Sequence, residues 1–325
     1  MNKNTKIFLA GHNGMVGHAF HRRLIDLNYK KIITANRNKV DLTNQNNVNK
    51  FISEKKPDLV IICAARVGGI NANNSYPMEF IYENMMIAFN IIKASFDNNI
   101  KKLLFLGSSC IYPKDSKQPI EETSLLSGYL ENTNEAYALA KISGIKFCKY
   151  ISKQYGYDYR SVMPTNLYGK NDNFHLSNSH VIPGLIHRMY LAKINKKTSF
   201  KIWGTGKPTR EFMHVQDLVD ASLKILKISN KKWRKLSGEE NFLNIGVGTQ
   251  ISIMNLAKKI KKYINFHGNL EFDISMPDGM MKKGLSNKKF KQINYKIKYD
   301  LDTGLQEVCN WFIKNYNKNN SILRK

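Results

Sequence analysis

Short apolar runs alternate with amphipathic stretches along the first half of the chain. The apolar runs fall at residues 6–10, 31–35, 59–63, 102–107 and 159–163, and the run at 59–63 is rich in β-branched residues. The stretches between them place apolar residues every three to four positions, which is typical of a helix with one buried face. Such alternation of strand and helix predicts an α/β fold built around a doubly wound parallel sheet.

The pattern loosens in the second half, where short strands alternate with helices such as residues 253–264. Residues 67–75, rich in glycine and asparagine, and the polar residues 113–133 are predicted to be loops. We expect residues 1–165, joined by later returning segments, to form the main domain. Residues 166–325 are expected to form mainly a smaller α/β lobe that is interwoven with it.

Composition indicates a folded protein, with 42% hydrophobic and 11% aromatic residues among 325. No apolar run approaches the roughly 20 residues that a membrane helix needs. The first residues lack the apolar core and cleavage site of a secretory signal, so we expect a soluble cytoplasmic protein with no membrane partner. The four cysteines are far apart and form no CxxC pair, which argues against a zinc site or a disulfide framework.

The formal charge of +26 raises nucleic-acid binding as an alternative function. Lysines are spread along most of the chain among many asparagines, however, and the densest lysine runs lack interleaved aromatic residues. We therefore expect no nucleic-acid partner. A basic surface also attracts anionic nucleotides, so the charge is compatible with an enzyme that acts on them.

Three glycines at Gly11, Gly14 and Gly17 stand between the first predicted strand and its helix. A pyrophosphate needs close backbone approach and a helix N-terminus at this point, so the turn predicts dinucleotide binding in a Rossmann-type sheet. The spacing GxxGxxG differs slightly from the usual GxGxxG. The remaining candidate cofactor-binding residues of this turn are Asn13, Met15 and Val16.

The end of the second predicted strand reads Ala35-Asn36-Arg37 and carries no acid that could bind a ribose 2′-hydroxyl. Arg37 could instead bind a 2′-phosphate, which favours NADP over NAD. Asp41 and Leu42, where the next helix is predicted to open, could flank the adenine.

Tyr137 and Lys141 lie four residues apart on a predicted helix and so share one face. We expect the ammonium to lower the pKa of the tyrosine, which could then exchange a proton with a substrate oxygen. Ser108 or Ser109, at the end of the preceding strand, could bind the same oxygen. The alternative is an ordinary amphipathic helix, which the glycine-rich turn upstream disfavours.

Over nearly its whole length the sequence resembles the extended short-chain dehydrogenase/reductase family. Within that family it is most similar to enzymes that epimerise and reduce GDP-4-keto-6-deoxy-D-mannose. The most specific stretches are AGHNGMVG at 10–17, LGSSCIYPK at 106–114, MPTNLYG at 163–169 and SNSHVIP at 177–183. The resemblance implies that the main domain binds NADP(H) and that the smaller lobe binds a nucleotide sugar.

The resemblance implies roles for five catalytic residues. Cys110 and His180 would act as acid and base in epimerisation at C3 and C5. Tyr137, helped by Ser108 and Lys141, would protonate the C4 oxygen during reduction, giving GDP-L-fucose. Tyr137, Lys141 and His180 would also contact the cofactor. The alternative is a C4-reductase, with or without epimerisation, for a related GDP-4-keto sugar such as a GDP-6-deoxy-heptose.

Further contacts with the GDP-sugar follow from the same resemblance, and their candidate residues are Asn166, Arg188, Trp203, Arg210 and Lys283. Asn13 stands where these enzymes often have an arginine at the 2′-phosphate, which leaves Arg37 to bind it. The family also usually pairs through two long helices. We therefore expect a homodimer formed through residues 77–98 and 134–155.

Overall fold

The computed structural model describes residues 1–275 and 278–316. Its strands are β1 (Ile7–Ala10), β2 (Ile32–Ile33), β3 (Leu59–Ile62), β4 (Lys102–Leu106), β5 (Asp158–Pro164), β6 (Asn166–Tyr168), β7 (Ser199–Trp203), β8 (Thr209–Arg210), β9 (Phe212–His214), β10 (Phe242–Ile245), β11 (Ile251–Ser252), β12 (Asn269–Asp273) and β13 (Lys282–Lys283). Its helices are α1 (Met15–Asp26), α2 (Gln45–Lys55), α3 (Ile70–Ser75), α4 (Pro77–Asp97), α5 (Glu135–Tyr155), α6 (Val181–Ile194), α7 (Val215–Lys227), α8 (Asn230–Ser237), α9 (Ile253–Ile264), α10 (Lys288–Lys291) and α11 (Leu301–Tyr316).

Six parallel strands form the main sheet, in the order β10-β5-β4-β3-β1-β2. The chain leaves β1 towards β2 on one side and returns to β3 on the other. This reversal opens a crevice at the carboxyl ends of β1 and β3, where ligands of doubly wound sheets bind. The predicted α/β fold with a doubly wound sheet is confirmed.

Both faces of the sheet are covered, because alternate residues of each strand enter different cores. Phe8, Val60 and Phe105 pack with helices α2, α4 and α5 on one face. Ile61 and Leu104 pack with α1, α7 and α8 on the other. Burial on both sides explains why these strands are continuous apolar runs in the sequence.

A second lobe is built by α6, α9 and α11 around a third core that includes Ile186, Ile260 and Phe312. Beside it lie the two-stranded pair β12-β7 and the small sheet β11-β8-β13. The chain returns to the main sheet between these elements, because α7 packs on its face and β10 pairs with β5. The two lobes are therefore interwoven. In the parts of the chain covering 1–275 and 278–316, no helix is long and apolar enough to cross a membrane.

The prediction of a loop at residues 67–75 is wrong for the last six of these residues, because α3 forms there. Asparagine is a poor helix former, but Asn73 stabilises this turn through its side chain. Its Nδ2 donates hydrogen bonds to the carbonyls of Gly68 and Gly69 at 2.9 and 3.0 Å. These short-range side-chain hydrogen bonds thus outweigh the low helix propensity of asparagine.

The helix predicted to open at Asp41 starts later, at Gln45. Asp41 instead closes a local turn, since its Oδ1 accepts hydrogen bonds from the backbone and hydroxyl of Thr43 at 3.0 and 2.7 Å. Asn44 caps the helix by accepting from the backbone N–H of Asn47 at 3.0 Å.

Candidate active site

The three glycines of the first turn differ in how much space a side chain would have. Gly11 has φ +85°, and a Cβ there would stand 2.5 Å from the backbone nitrogen of Ala64. A Cβ on Gly17 would stand 2.0 Å from the carbonyl oxygen of Gly11. A Cβ on Gly14 would meet only that same oxygen, at an ordinary 3.5 Å. Folding therefore requires the first and third glycines, whereas the second leaves space open beside the turn.

The N-terminus of α1 faces that space. Gly14 occupies the N-cap without a side-chain cap, and the first turn of the helix contains no acid. The backbone N–H groups of a first helical turn lack intrahelical partners and attract anions. Open space beside Gly14 and an uncapped helix start together fit the pyrophosphate of a dinucleotide.

Arg37 and Asp41 lie beyond the carboxyl end of β2. Arg37 is exposed to solvent, as is Asn13. The hydrogen bonds from Thr43 lower the pKa of the Asp41 carboxyl, and the Arg37 charge lowers it further. A cation and a fixed carboxylate therefore stand where the ribose end of a dinucleotide would lie.

Lys141 is buried in the first half of α5. Its Nζ donates a hydrogen bond of 2.9 Å to the carbonyl of Leu106, the last residue of β4. Burial lowers the pKa of Lys141 to about 8, and the nearby Cys63 partly opposes this shift. The Phe105 ring lies 5.0 Å from the ammonium. The lysine thus ties α5 to the end of the central strand.

Tyr137 lies one helical turn before Lys141, whose Nζ is 5.7 Å from the centre of its ring. Burial raises the pKa of the phenol, Cys110 raises it further, and a hydrogen bond with Ser108 lowers it. The expected lowering by Lys141 is wrong for this structure, because the ammonium points at the Leu106 carbonyl and desolvation disfavours the phenolate. The surroundings of Tyr137 therefore favour the protonated phenol.

Cys110 follows Ser108 in a short 3-10 turn at the end of β4. Its backbone N–H donates to the Ser108 hydroxyl oxygen at 3.2 Å. Its Sγ lies 3.7 Å from the Nζ of Lys283, which arrives from the distant strand β13. Ser108, Cys110 and Tyr137 thus form one cluster, and a residue expected to contact the GDP-sugar stands against the thiol.

His180 enters from another element, at the N-cap position of α6. The preceding segment is held by a 2.9 Å hydrogen bond from the Gly69 N–H to the Asn178 carbonyl. The residue is exposed to solvent, yet desolvation by its surroundings lowers the pKa of the imidazole and favours the neutral form. A neutral imidazole can either accept or donate a proton.

Arg188 and Trp203 form a stacked pair in the second lobe, with the guanidinium 4.1 Å from the indole centre. Burial lowers the pKa of Arg188 to about 10, so it stays charged at neutral pH. Arg210 donates to the Thr209 carbonyl at 2.9 Å, and Asn166 donates to the Glu211 carbonyl at 2.8 Å. These side chains supply a planar surface and cations suited to a nucleoside diphosphate.

The structure adds Glu211, which the sequence did not single out. This buried carboxylate accepts hydrogen bonds from the backbone N–H groups of Gly248 and Leu285, both at 2.8 Å. It thereby ties the segment after β13 to the segment between β10 and β11. The sequence shows an acidic residue between Arg210 and an apolar strand, which could have indicated a buried carboxylate. The distant backbone groups that it binds could not be predicted from the sequence.

Comparison with known proteins gives concordant matches. The model of the NAD dependent epimerase/dehydratase family matches residues 7–246. GDP-L-fucose synthase of Escherichia coli K12 is 45% identical over 96% of this chain and 98% of its own length. The crystal structure of a GDP-6-OMe-4-keto-L-xylo-heptose reductase from C. jejuni has a TM-score of 0.92 and 33% identity, over 97% and 99% of the two chains.

A GDP-L-fucose synthetase from Naegleria fowleri, solved bound to NADP, matches with a TM-score of 0.87 and 29% identity. That alignment covers 98% of this chain and 97% of the other. These matches confirm the resemblance to extended short-chain dehydrogenase/reductases that the sequence motifs predicted.

The depressed pKa of Lys141 predicts a specific pH dependence of stability. Between pH 8 and the ordinary lysine value of 10.5, the unfolded chain binds more protons at this residue than the folded chain. Stability contributed by this residue must therefore rise with pH across that window. Relative to Lys141→Met, the wild-type free energy of unfolding should increase by up to about 3 kcal/mol. Denaturant unfolding at both ends of the window measures it, and a pH-independent difference would contradict it.

Proposed function

The chain belongs to the NAD dependent epimerase/dehydratase family, and we propose that it converts GDP-4-keto-6-deoxy-D-mannose to GDP-L-fucose with NADPH as reductant. One site would invert C3 and C5 and reduce C4. The observation that carries the proposal is that Ser108 hydrogen-bonds Tyr137 and also accepts a hydrogen bond of 3.2 Å from the backbone N–H of Cys110. It sets a group suited to moving carbon-bound protons beside a group suited to ketone reduction. The extensive identity to GDP-L-fucose synthases supports the choice of sugar.

In the epimerisation steps, the C4 ketone acidifies the protons on C3 and C5. Cys110 removes such a proton from one face, and the electron pair moves onto the C4 oxygen. Tyr137 and Ser108 stabilise that oxygen through hydrogen bonds. His180 returns a proton to the opposite face, which inverts the centre without any net change in composition.

In the reduction step, bound NADPH would supply the hydride that C4 receives. Tyr137 gives its proton to the C4 oxygen, which becomes a hydroxyl. Its raised pKa means that it enters the step protonated. We assign Lys141 to fixing α5 against β4 and to binding the nicotinamide ribose, with His180 as a further cofactor contact.

The cofactor is NADP(H), and we assign its pyrophosphate to the turn formed by Gly11, Gly14 and Gly17 with Asn13, Met15 and Val16. Arg37 is assigned to the 2′-phosphate, and Asp41 with Leu42 to the adenine. The open space at Gly14 and the cation at Arg37 support this orientation. Residues 1–165 with returning segments would thus carry the cofactor.

The GDP-sugar is assigned mainly to residues 166–325. The stacked Arg188 and Trp203 offer a flat surface for a guanine ring. Arg210, whose guanidinium is largely desolvated, offers a bidentate partner for the diphosphate. Asn166 stands between the two domains, at the start of β6.

A second candidate is reduction of C4 in a related GDP-4-keto heptose, with or without epimerisation. The fold similarity to the C. jejuni heptose reductase supports it. It differs in the size of the sugar and in whether Cys110 and His180 still invert C3 and C5.

Deuterium exchange separates the two half-reactions. With GDP-4-keto-6-deoxymannose in deuterated water and no NADPH, wild-type enzyme should incorporate deuterium at C3 and C5. Cys110→Ser should lose this exchange by at least about 100-fold, because it lacks the base. Tyr137→Phe should keep measurable exchange but lose reduction by a similar factor. Absence of deuterium exchange with the wild-type enzyme would refute the epimerase assignment. Exchange by Cys110→Ser at the wild-type rate would show that Cys110 is not the base.

A pair of glycine variants tests the cofactor turn. Gly14→Ala should fold with nearly the wild-type melting temperature, because its Cβ meets ordinary contacts. It should nevertheless weaken NADPH binding at least tenfold by filling the space for the pyrophosphate, an estimate of about 1.4 kcal/mol. Gly17→Ala should lose both stability and binding. Fluorescence titration with NADPH gives the affinities, and unimpaired binding by Gly14→Ala would contradict the placement.

We also infer that two copies of the chain pair through α4 and α5. Met78, Tyr82 and Phe89 are exposed on α4 and follow one helical stripe. Leu139 and Tyr150 are exposed on α5, which packs beside α4. An apolar surface on two adjacent long helices suits a two-fold partner with the same surface.

The dimer is tested by light scattering at micromolar concentration. Wild-type protein should be a dimer. The double variant Tyr82→Glu/Phe89→Glu should be a monomer, because forming the dimer would bury the introduced carboxylates. Tyr129→Glu is the control, since Tyr129 is 88% exposed in a loop outside both helices. A monomeric wild type, or a dimer unaffected by the double variant, would refute the inference.

A further inference from the structure

Lys283 reaches the candidate catalytic thiol from a strand far away in the sequence. Its Nζ lies 3.7 Å from Sγ of Cys110, within hydrogen-bonding range for sulfur. We propose that Lys283 is a positioning residue that holds Cys110 as a thiolate, ready to remove the carbon-bound proton. This rests on the proposed function, in which Cys110 is that base. It gives Lys283 a role beyond contact with the GDP-sugar.

The position of Lys283 is fixed on both sides. β13 pairs in parallel with β8, which sets Lys283 opposite Arg210. The next residue, Gly284, donates its N–H to Gln118 Oε1 and accepts from the N–H of Ile120, both at 2.9 Å. The Glu211 carboxylate accepts a hydrogen bond of 2.8 Å from the N–H of residue 285. The backbone around Lys283 is thus anchored to the loop that follows Cys110.

Two cationic side chains face Cys110. Lys283 on β13 and Arg210 on β8 are cationic, and Cys110 interacts electrostatically with the latter. Tyr137 on α5 also faces the thiol but stays neutral. Glu131 and Asp278 act on Arg210, so part of its charge is already balanced. Lys283 is therefore the cation that hydrogen-bonds the sulfur directly.

The physical consequence follows from the reacting form of cysteine. A thiolate accepts protons and reacts with alkylating agents, whereas a thiol does neither efficiently. A cation within about 4 Å favours the charged form of an acid, typically by a factor of ten or more. When Cys110 takes a substrate proton, the sulfur becomes neutral and the ammonium remains, so no further reactant is needed.

Lys282 provides a matched comparison. It is the neighbouring residue of the same strand and is exposed to solvent. Successive residues of a strand point to opposite faces, so its charge lies away from the thiol. Substituting Lys282 removes the same charge from the chain without removing the partner of Cys110.

The test is the pH profile of Cys110 alkylation by iodoacetamide in the substrate-free full chain, followed by mass spectrometry. Lys283→Met should slow alkylation about tenfold at pH 7 and move the profile to higher pH with an unchanged plateau. Lys283→Gln, which keeps a polar side chain, should behave alike. Lys283→Arg should keep most of the wild-type rate, and Lys282→Met should keep all of it.

The outcomes separate this proposal from others. Wild-type alkylation in Lys283→Met or Lys283→Gln, with a raised KM for the GDP-sugar, would overturn it and leave Lys283 as a diphosphate contact. Thermal unfolding identifies a variant that fails to fold, in which case the other uncharged variant decides. Alkylation needs no sugar, so it reports on Lys283 whether or not the wild-type enzyme exchanges deuterium. Absence of that exchange would contradict the proposed function, not the role of Lys283.

Discussion

A buried hydrogen bond between Lys141 and the carbonyl of Leu106 joins the main elements of the site. An ammonium inside a protein costs free energy unless it has a partner, and the open last carbonyl of β4 supplies one. The bond therefore fixes where α5 stands against the sheet. Tyr137, one turn earlier on the helix, is brought beside Ser108 and Cys110, which follow directly after the same strand. One polar contact thus aligns the candidate proton donor with the end of the sheet.

Much of this arrangement could be predicted from local sequence. Continuous apolar strands alternating with amphipathic helices predict the doubly wound sheet, because each strand is buried on both faces. The carboxyl ends of parallel strands meet at one edge, which is why Gly11 after β1 and Ser108 after β4 lie at the same edge of the sheet. The spacing of Tyr137 and Lys141 was enough to place both on one helical face.

The remainder depends on contacts between distant segments, which local patterns do not contain. Lys283 reaches Cys110 only because Glu211 and the loop at residues 118–120 hold the strand that carries it. The pKa of Tyr137 was predicted in the wrong direction, since proximity in sequence to Lys141 says nothing about where the ammonium points or how strongly burial disfavours charge. The family resemblance supplied the roles of Cys110 and His180, which residue spacing alone left undecided.

The central feature of the enzyme is a site that both inverts and reduces one sugar. Nuclear magnetic resonance of the product formed from GDP-4-keto-6-deoxymannose and NADPH tests this most directly, because coupling constants report the configuration at C3, C4 and C5. We expect GDP-L-fucose, with C3 and C5 inverted and C4 reduced. A reduced product that retains the substrate configuration at C3 and C5 would contradict it and leave a simple C4-reductase.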